Sequence, residues 1–333
     1  VPPAVRVRAL VVTWDAADLL PACLDSLEAQ TVRDQMEIVV VDNASKDGTA
    51  ELVAERYPDV RLVRAPRNLG FAGGAHLGLA DLDADYAVLL NNDARFAPDA
   101  VERLMAELDS PGSQRAGAAT AKIVLTTRDA AGRRLVNSTG NIVTSGGTGT
   151  DRDWLAPDGT ESTDPDVFGF CGGAAMLRRA ALDDVGDFDP SLFLYYEDTD
   201  LSFRLRSGGW TVRYVPSAVA EHDHAASSGT GSAVFRYYNT RNSLIVMTRH
   251  APWPVVLRTT TRQLLGLVRA ALTDGVRSPG TGARARGLRD HLARLGRTLA
   301  ERRRLGRDAV VDRSALARLL VPARRIAADP PQR

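Results

Sequence analysis

The chain has 333 residues, 44% of them hydrophobic, and a formal net charge of +1. That is enough apolar material for a large α/β domain with an appendage, or for two small domains, and too even a charge for a wholesale nucleic-acid binder. No apolar run reaches the roughly 18 residues of a membrane span, and the first residues lack the layout of a signal peptide. Cys23 and Cys171 make no metal pattern, so the expected setting is soluble, reducing and cytoplasmic.

Residues 8–13 form a short β-branched run, a first strand ending in Thr13. Leu19, Leu20, Cys23, Leu24 and Leu27 then recur at helical spacing. Residues 37–42 read as a second buried strand, followed by a polar turn over 43–49 and a helix over 50–57. A third strand spans 60–63, and Asn68-Leu69-Gly70-Phe71-Ala72-Gly73-Gly74 opens a helix reaching about residue 82. The fourth strand, 86–90, ends abruptly in Asn91-Asn92-Asp93. Strand and helix alternate four times with short links, the pattern of βαβ units and a mainly parallel sheet with helices on both faces.

Past Pro98 the regularity fades. A helix over 99–108 leads into a Gly/Ser/Thr-rich stretch, about 110–165, with strands expected over 118–125 and 141–143. Residues 167–177 read as a strand broken by Gly172-Gly173. A helix starting near Glu197 stops at Gly208-Gly209, and a strand over 211–215 follows. From about Phe235 the chain becomes helical and basic, with Leu288, Leu292, Leu295 and Leu299 on one stripe. The expected organisation is an α/β domain over 1–235, in halves of about 1–110 and 111–235, and a helical region over 236–333.

Several polar clusters fall where open α/β sheets hold ligands, at the carboxyl ends of strands. Asp93 could hold a divalent ion against a diphosphate, or cap a turn. Asp42 could accept the imide N–H of a uracil or thymine base, or cap the turn after it. The small residues of 68–74 expose backbone N–H groups to a phosphate or sugar, or serve close helix packing. Glu197, Asp198 and Asp200 crowd one helix start, where a single acid suffices as a cap. An ionised Asp198 facing a pocket could take a proton from a hydroxyl, with Glu197 or Asp200 capping or orienting it. His222 and His224 follow a strand beside acids and are either surface groups or metal ligands. Gly172-Gly173 is a strand kink or a floor cut flat for an acceptor.

In this order, 40–49, 68–74, 89–93, 172–179 and 197–204 together resemble the inverting family 2 glycosyltransferases, most closely their bacterial rhamnosyltransferase-like branch. The resemblance covers about residues 7–250. It implies a GT-A fold, a nucleotide-diphosphate sugar donor and a Mg²⁺ or Mn²⁺ cofactor. Asp42 would then hold the base, with Thr13, Asn43, Asn68, Gly70 and Asn92 on the donor side. Asp93 would be the metal-binding acid of the DXD motif, and Asp198 the base. Gly172, Gly173, Glu197 and Asp200 would lie on the acceptor side. His222 matches the position of a further metal ligand in some relatives, with Ser227-Ser228-Gly229 following at the usual distance. Two departures stand out: Asn91 where many members carry Asp, which removes a charge from the metal set, and His76 where Asn is common. The branch implies thymidine-diphosphate rhamnose as donor, with UDP-galactofuranose, UDP-hexose and N-acetylhexosamine donors open. It implies a cell-envelope or polyprenyl-linked glycan as acceptor.

Two other readings are weaker. A sugar nucleotidyltransferase needs a Gly-rich, Lys/Arg-bearing loop after the first strand, which residues 13–18 lack. A non-catalytic nucleotide-sugar binder would not need both Asp93 and Asp198. The basic helical region suits either an anionic inner-membrane surface or packing against the core or a second subunit in a homodimer.

Overall fold

The computed structural model describes residues 5–223 and 232–323. β1 (Val7–Thr13), β2 (Met36–Asp42), β3 (Arg61–Arg64) and β4 (Tyr86–Leu90) run parallel in the order β3-β2-β1-β4. β1, β2 and β4 are covered on both faces, which is why each is mostly apolar along its length; β3, at the edge, is not. Between them come α1 (Leu20–Glu28), α2 (Thr49–Arg56) and α3 (Gly70–Leu79). α1 packs Leu20, Cys23, Leu24 and Leu27 on one face of the sheet, and α3 sets Ala75 and Leu79 on the other.

The second half contains β5 (Ala94–Phe96), α4 (Ala100–Asp109), β6 (Ala116–Arg128), β7 (Arg134–Ser138), β8 (Asn141–Val143), β9 (Gly149–Asp151), β10 (Ala174–Arg178), α5 (Arg179–Val185), α6 (Glu197–Ser207) and β11 (Thr211–His222). The sheet continues β4-β10-β6-β11-β5, with β7 on β6. β10 is antiparallel to both β4 and β6, so the chain runs back beside β4 from the opposite direction. β8 and β9 form a separate hairpin.

Two expectations change here. Residues 167–173 do not extend β10; only isolated bridges form, at Asp166 to Arg213 and Gly169 to Asn141. Gly169 lies so close to α6 that a Cβ there would stand 2.3 Å from Ser202 Oγ, which holds this segment out of a regular ladder. β11 runs beyond 215 to His222, because the irregularity around Pro216 is a bulge, not an end. Its last residues pair with β5, a three-residue strand too short to show any alternation.

Beyond residue 231 the described chain forms α7 (Ala233–His250), α8 (Trp253–Thr273), α9 (Pro279–Ala293), α10 (Leu295–Asp308) and α11 (Arg313–Ala317). The leucine stripe expected over 288–299 is not the packing face. The helix breaks at Arg294, Leu292 is exposed, and α9 meets α7 through Ala283, Gly287 and His291. A Cβ on Gly287 would stand 2.9 Å from Tyr237 O, so the small residue sets how closely the two helices approach.

α7 shares one apolar cluster with the α/β part: Ile245, Val246 and Met247 pack with Phe168, Tyr196 and Phe203. A buried ionic cluster adds to it. Asp200 accepts from Arg204 Nε at 3.0 Å, Arg249 Nη1 at 3.1 Å and His250 Nε2 at 2.9 Å. Burial opposes the charge on Asp200, yet Arg204, His250 and Arg249 hold its carboxyl well below the usual range. Asp200, expected on the acceptor side, therefore anchors α6 to α7 instead. Breaking such a buried set by removing one partner costs about 3–5 kcal/mol.

Candidate active site

The parallel strands bring their polar ends to one edge. Thr13 and Asp42 lie in register at the tips of β1 and β2. Asn92 Nδ2 donates to Thr13 Oγ1 at 3.1 Å, joining the tip of β1 to the segment after β4. Asn43 accepts from Leu69 N at 3.3 Å and donates to Gly70 O at 3.1 Å, fixing the start of α3. Asn68 Oδ1 takes the Gly70 N–H at 2.8 Å. Asp42 is buried, and its Oδ1 accepts from Ser45 N at 3.2 Å. It thus caps the turn, while Asp47 serves the start of α2.

At the next strand end Asp93 Oδ1 and His222 Nε2 lie 2.9 Å apart, both largely buried. His222 Nδ1 is 2.5 Å from Asn137 Oδ1 on β7, and Asp223 N donates to Asp93 O at 2.9 Å. The β5–β11 pairing, with His222 opposite Ala94, brings these distant residues together. With Nδ1–H donated to Asn137, the Nε2 lone pair faces a carboxylate oxygen, an arrangement satisfied by a proton or a cation between them. Among the described residues no group of three His, Cys, Asp or Glu side chains gathers as a metal cage. Two protein ligands fit a Mg²⁺ or Mn²⁺ ion that takes its remaining ligands from diphosphate oxygens and water. Asn91 donates its backbone N–H to Gly173 O at 3.0 Å, and its Nδ2 would lie 3.4 Å from a Cβ on Gly173. His224 and Ser227-Ser228-Gly229 lie outside the described residues.

The same glycine pair leads to Asp198. Gly172 N donates to Asp198 Oδ2 at 3.4 Å, and Thr199 N donates to Asp198 Oδ1 at 2.6 Å. A Cβ on Gly172 would stand 3.6 Å from Phe71 and 3.8 Å from Asp198 Cβ, in ordinary contact and without clash. The glycine leaves open the gap between α3 and the Asp198 carboxylate. Burial, then the charge of Asp151 on β9, push the Asp198 carboxyl up to about 6. Burial, then Asp198 itself, push Glu197 up to about 8, and its Oε2 is a buried oxygen without a partner among the described residues. Both carboxyls are held above their ordinary values, Glu197 further than Asp198, so Glu197 is the one that keeps its proton more readily. His76 lies apart from this cleft, exposed on α3 and 2.7 Å from Asp187 Oδ1.

The turn before α6 is strained. Phe193, Tyr195 and Tyr196 all have positive φ, a region unfavourable for aromatic residues. Two groups hold it there. Gly70, at φ +69°, lies under it; a Cβ at that position would stand 2.2 Å from Phe193 O. Asn242 on α7 shares its two Nδ2 hydrogens among Leu192 O, Leu194 O and Tyr195 O at 2.9, 2.9 and 2.7 Å. Arg241 adds bonds to Ser191 O and Leu192 O. Gly70 at the start of α3 and Asn242 and Arg241 on α7 thus fix the turn that leads into Asp198. The roles of Asn137, Asp151 and Asn242 had no local signal in the sequence, although the polar pair Arg241-Asn242 just before the apolar run 244–247 is a visible anomaly.

The architecture is that of the GT-A glycosyltransferases, as solved likenesses make plain. The mannosyltransferase PcManGT from Pyrobaculum calidifontis, solved with GDP-Man and Mn²⁺, superposes at a TM-score of 0.52 with 21% identity over 90% of this chain and 84% of that one. GalNAc-T7, solved with UDP, GalNAc and Mn²⁺, gives 0.61 with 16% identity over 87% of this chain and 55% of the other. The family model for Glycosyl transferase family 2 matches residues 9–186, more than half of the chain, and the chain belongs to that family. It is 31% identical over 283 residues to the N-acetylglucosaminyl-diphospho-decaprenol L-rhamnosyltransferase of Mycobacterium tuberculosis, covering 78% of this chain and 90% of the relative. An N-acetylglucosaminyltransferase of Sinorhizobium fredii is 27% identical over 215 residues, 60% of this chain and 48% of that protein. The chain is a glycosyltransferase.

Proposed function

We propose that this enzyme transfers L-rhamnose from thymidine-diphosphate rhamnose to a hydroxyl of a polyprenyl-diphosphate-linked glycan, with inversion at the anomeric carbon. The observation that carries the chemistry is Asp198, a partly buried carboxylate at about 6 behind a glycine gap. Likeness to the M. tuberculosis rhamnosyltransferase supports the substrates, and makes an N-acetylglucosaminyl-diphospho-polyprenol the acceptor to test first.

Asp198 takes the acceptor proton as the hydroxyl oxygen attacks the anomeric carbon, and the bond to the nucleoside diphosphate breaks on the opposite face. Gly172 and Gly173 give the acceptor room. The free carboxylate oxygen of Asp42 accepts the imide N–H of thymine, and Thr13, Asn43, Asn68, Gly70 and Asn92 shape the donor side. Asp93 and His222 would hold Mg²⁺ or Mn²⁺, with Asn91 as a neutral neighbour. When bound, that ion offsets the charge growing on the leaving diphosphate. Residues 1–235 form the catalytic unit, the helices after it brace the turn before Asp198, and the reaction runs at the inner face of the plasma membrane.

Calorimetric titration with a panel of nucleotide sugars, with Mn²⁺ and with chelator, tests the donor. Thymidine-diphosphate rhamnose should bind most tightly, in a metal-dependent way, and Asp93→Ala should lose that dependence. Preference for UDP-N-acetylglucosamine or UDP-galactofuranose would reassign the donor within the family.

A further inference from the structure

α8 is built inside out. Its packed face is Val255, Val256, Thr259, Gln263 and Ala270, small or polar for the most part. Its outer face carries Trp253, Leu257, Leu264, Leu265, Val268 and Leu272, all exposed, and Val276 just past the helix end continues the stripe. Leu257, Leu265 and Leu272 are 68%, 63% and 82% exposed. Steps of three and four residues keep these side chains on one side over the length of the helix. A soluble helix normally has the opposite arrangement, and a contiguous apolar strip of this kind marks a contact surface.

Charge selects the occupant. The 21 residues of α8 include no Asp or Glu, and the exposed Arg258 and Arg269 lie along one side of the stripe, while Arg262 turns inward. An apolar strip edged on one side by Arg258 and Arg269, with Asp274 the one acid, just past the helix end, fits an anionic lipid surface, with leucines entering the acyl boundary and guanidinium groups meeting phosphates. No described helix is long and apolar enough to cross a membrane, so the fit is to lying on one.

The position of the helix fits too. Arg258 and Arg262 donate to Ser145 O at 3.2 Å and Gly147 O at 3.0 Å in the turn between β8 and β9. Two residues past that turn, Gly149 N donates to the hydroxyl of Tyr196, which stands two positions before Asp198. The exposed stripe is therefore attached to the acceptor side of the site. We infer that α8 seats the enzyme on the surface of an anionic phospholipid bilayer and so presents the Asp198 side of the cleft to lipid-borne acceptors. The presentation of acceptors rests on the rhamnosyltransferase reading; the seating on lipid does not.

Flotation of the full chain, without substrate, with phosphatidylcholine vesicles and with vesicles also containing phosphatidylglycerol tests the seating. The protein should float with the anionic vesicles, much less with the neutral ones, and less as salt rises. Replacing Leu257, Leu265 and Leu272 together by serine should weaken binding by about tenfold or more. Arg269→Gln with Arg258→Gln should weaken binding to anionic vesicles only. The leucines are exposed, so circular dichroism and melting of the triple variant should match the parent. Failure of the parent to float, equal flotation with both vesicle types, or undiminished binding by the triple variant would overturn the inference. So would loss of a dimer in the triple variant with vesicle binding unchanged, which would assign the stripe to a second copy. Each of these results leaves the donor and acceptor chemistry standing.

Discussion

Replacing Asp198 by Asn should remove turnover and stabilise the fold at the same time. A carboxyl whose native value is about 6, against about 3.8 when unfolded, is held in a place that disfavours its charge. The sign follows from linkage. Below the unfolded value both states are protonated, and the group has no effect. As pH rises through the interval only the unfolded chain ionises, so native stability falls; above about 7 the loss is complete. At about 1.4 kcal/mol per pKa unit the full penalty is about 3 kcal/mol. The carboxylate keeps some contact with water, and Asn cannot accept the Gly172 N–H with its NH₂, so the net gain in Asp198→Asn should be about 1–2 kcal/mol. That corresponds to a rise in Tm of about 2–5 °C at pH 7.5. The gain should shrink to nothing near pH 4. Loss of a positioned base lowers kcat by about 10²–10⁴-fold. Calorimetric melting across pH 4–8, beside single-turnover assays, checks both halves. Near-parental turnover, or a gain in Tm that does not vary with pH, would refute the assignment of Asp198 as a base held at an unfavourable site.

Other substitutions test the surroundings. Gly172→Ala meets no clash. Its Tm should stay within about 1 °C of the parent while KM for the acceptor rises several-fold, because the methyl enters the gap before Asp198. Gly70→Ala forces a Cβ against Phe193 O from a positive φ, so it should cost about 2–4 kcal/mol and lower kcat with it, read by urea unfolding and initial rates. Asn242→Ala strands three carbonyl oxygens under the strained turn and should cost about 2–4 kcal/mol. Asn242→Asp should not restore rate or stability, since a carboxylate cannot donate those bonds.

Much of this fold could be read from the chain because β1, β2 and β4 are buried on both faces and bounded by polar turns. β5 was hidden by its length and the end of β11 by Pro216. The placement of candidate residues was legible where a polar residue ends a buried strand, as with Asp42 and Asp93. It was less so at the acid cluster: residues two apart on a helix point about 200° apart, so Asp198 and Asp200 face opposite ways, and only packing decides which faces the cleft. Asp200 went to Arg204, Arg249 and His250, and α7 residues that approach over long sequence distances have no local signature. The 288–299 stripe misled for a related reason, since helical spacing records that a face exists and not what covers it.

In the proposed reaction a single displacement lets Asp198 activate a hydroxyl while the nucleoside diphosphate leaves from the other face. The most direct test is the anomeric configuration of the transferred sugar, read by nuclear magnetic resonance on product made from thymidine-diphosphate rhamnose and an N-acetylglucosaminyl-diphospho-polyprenol. The mechanism predicts a configuration opposite to that of the donor. A product that keeps the donor's configuration would contradict it.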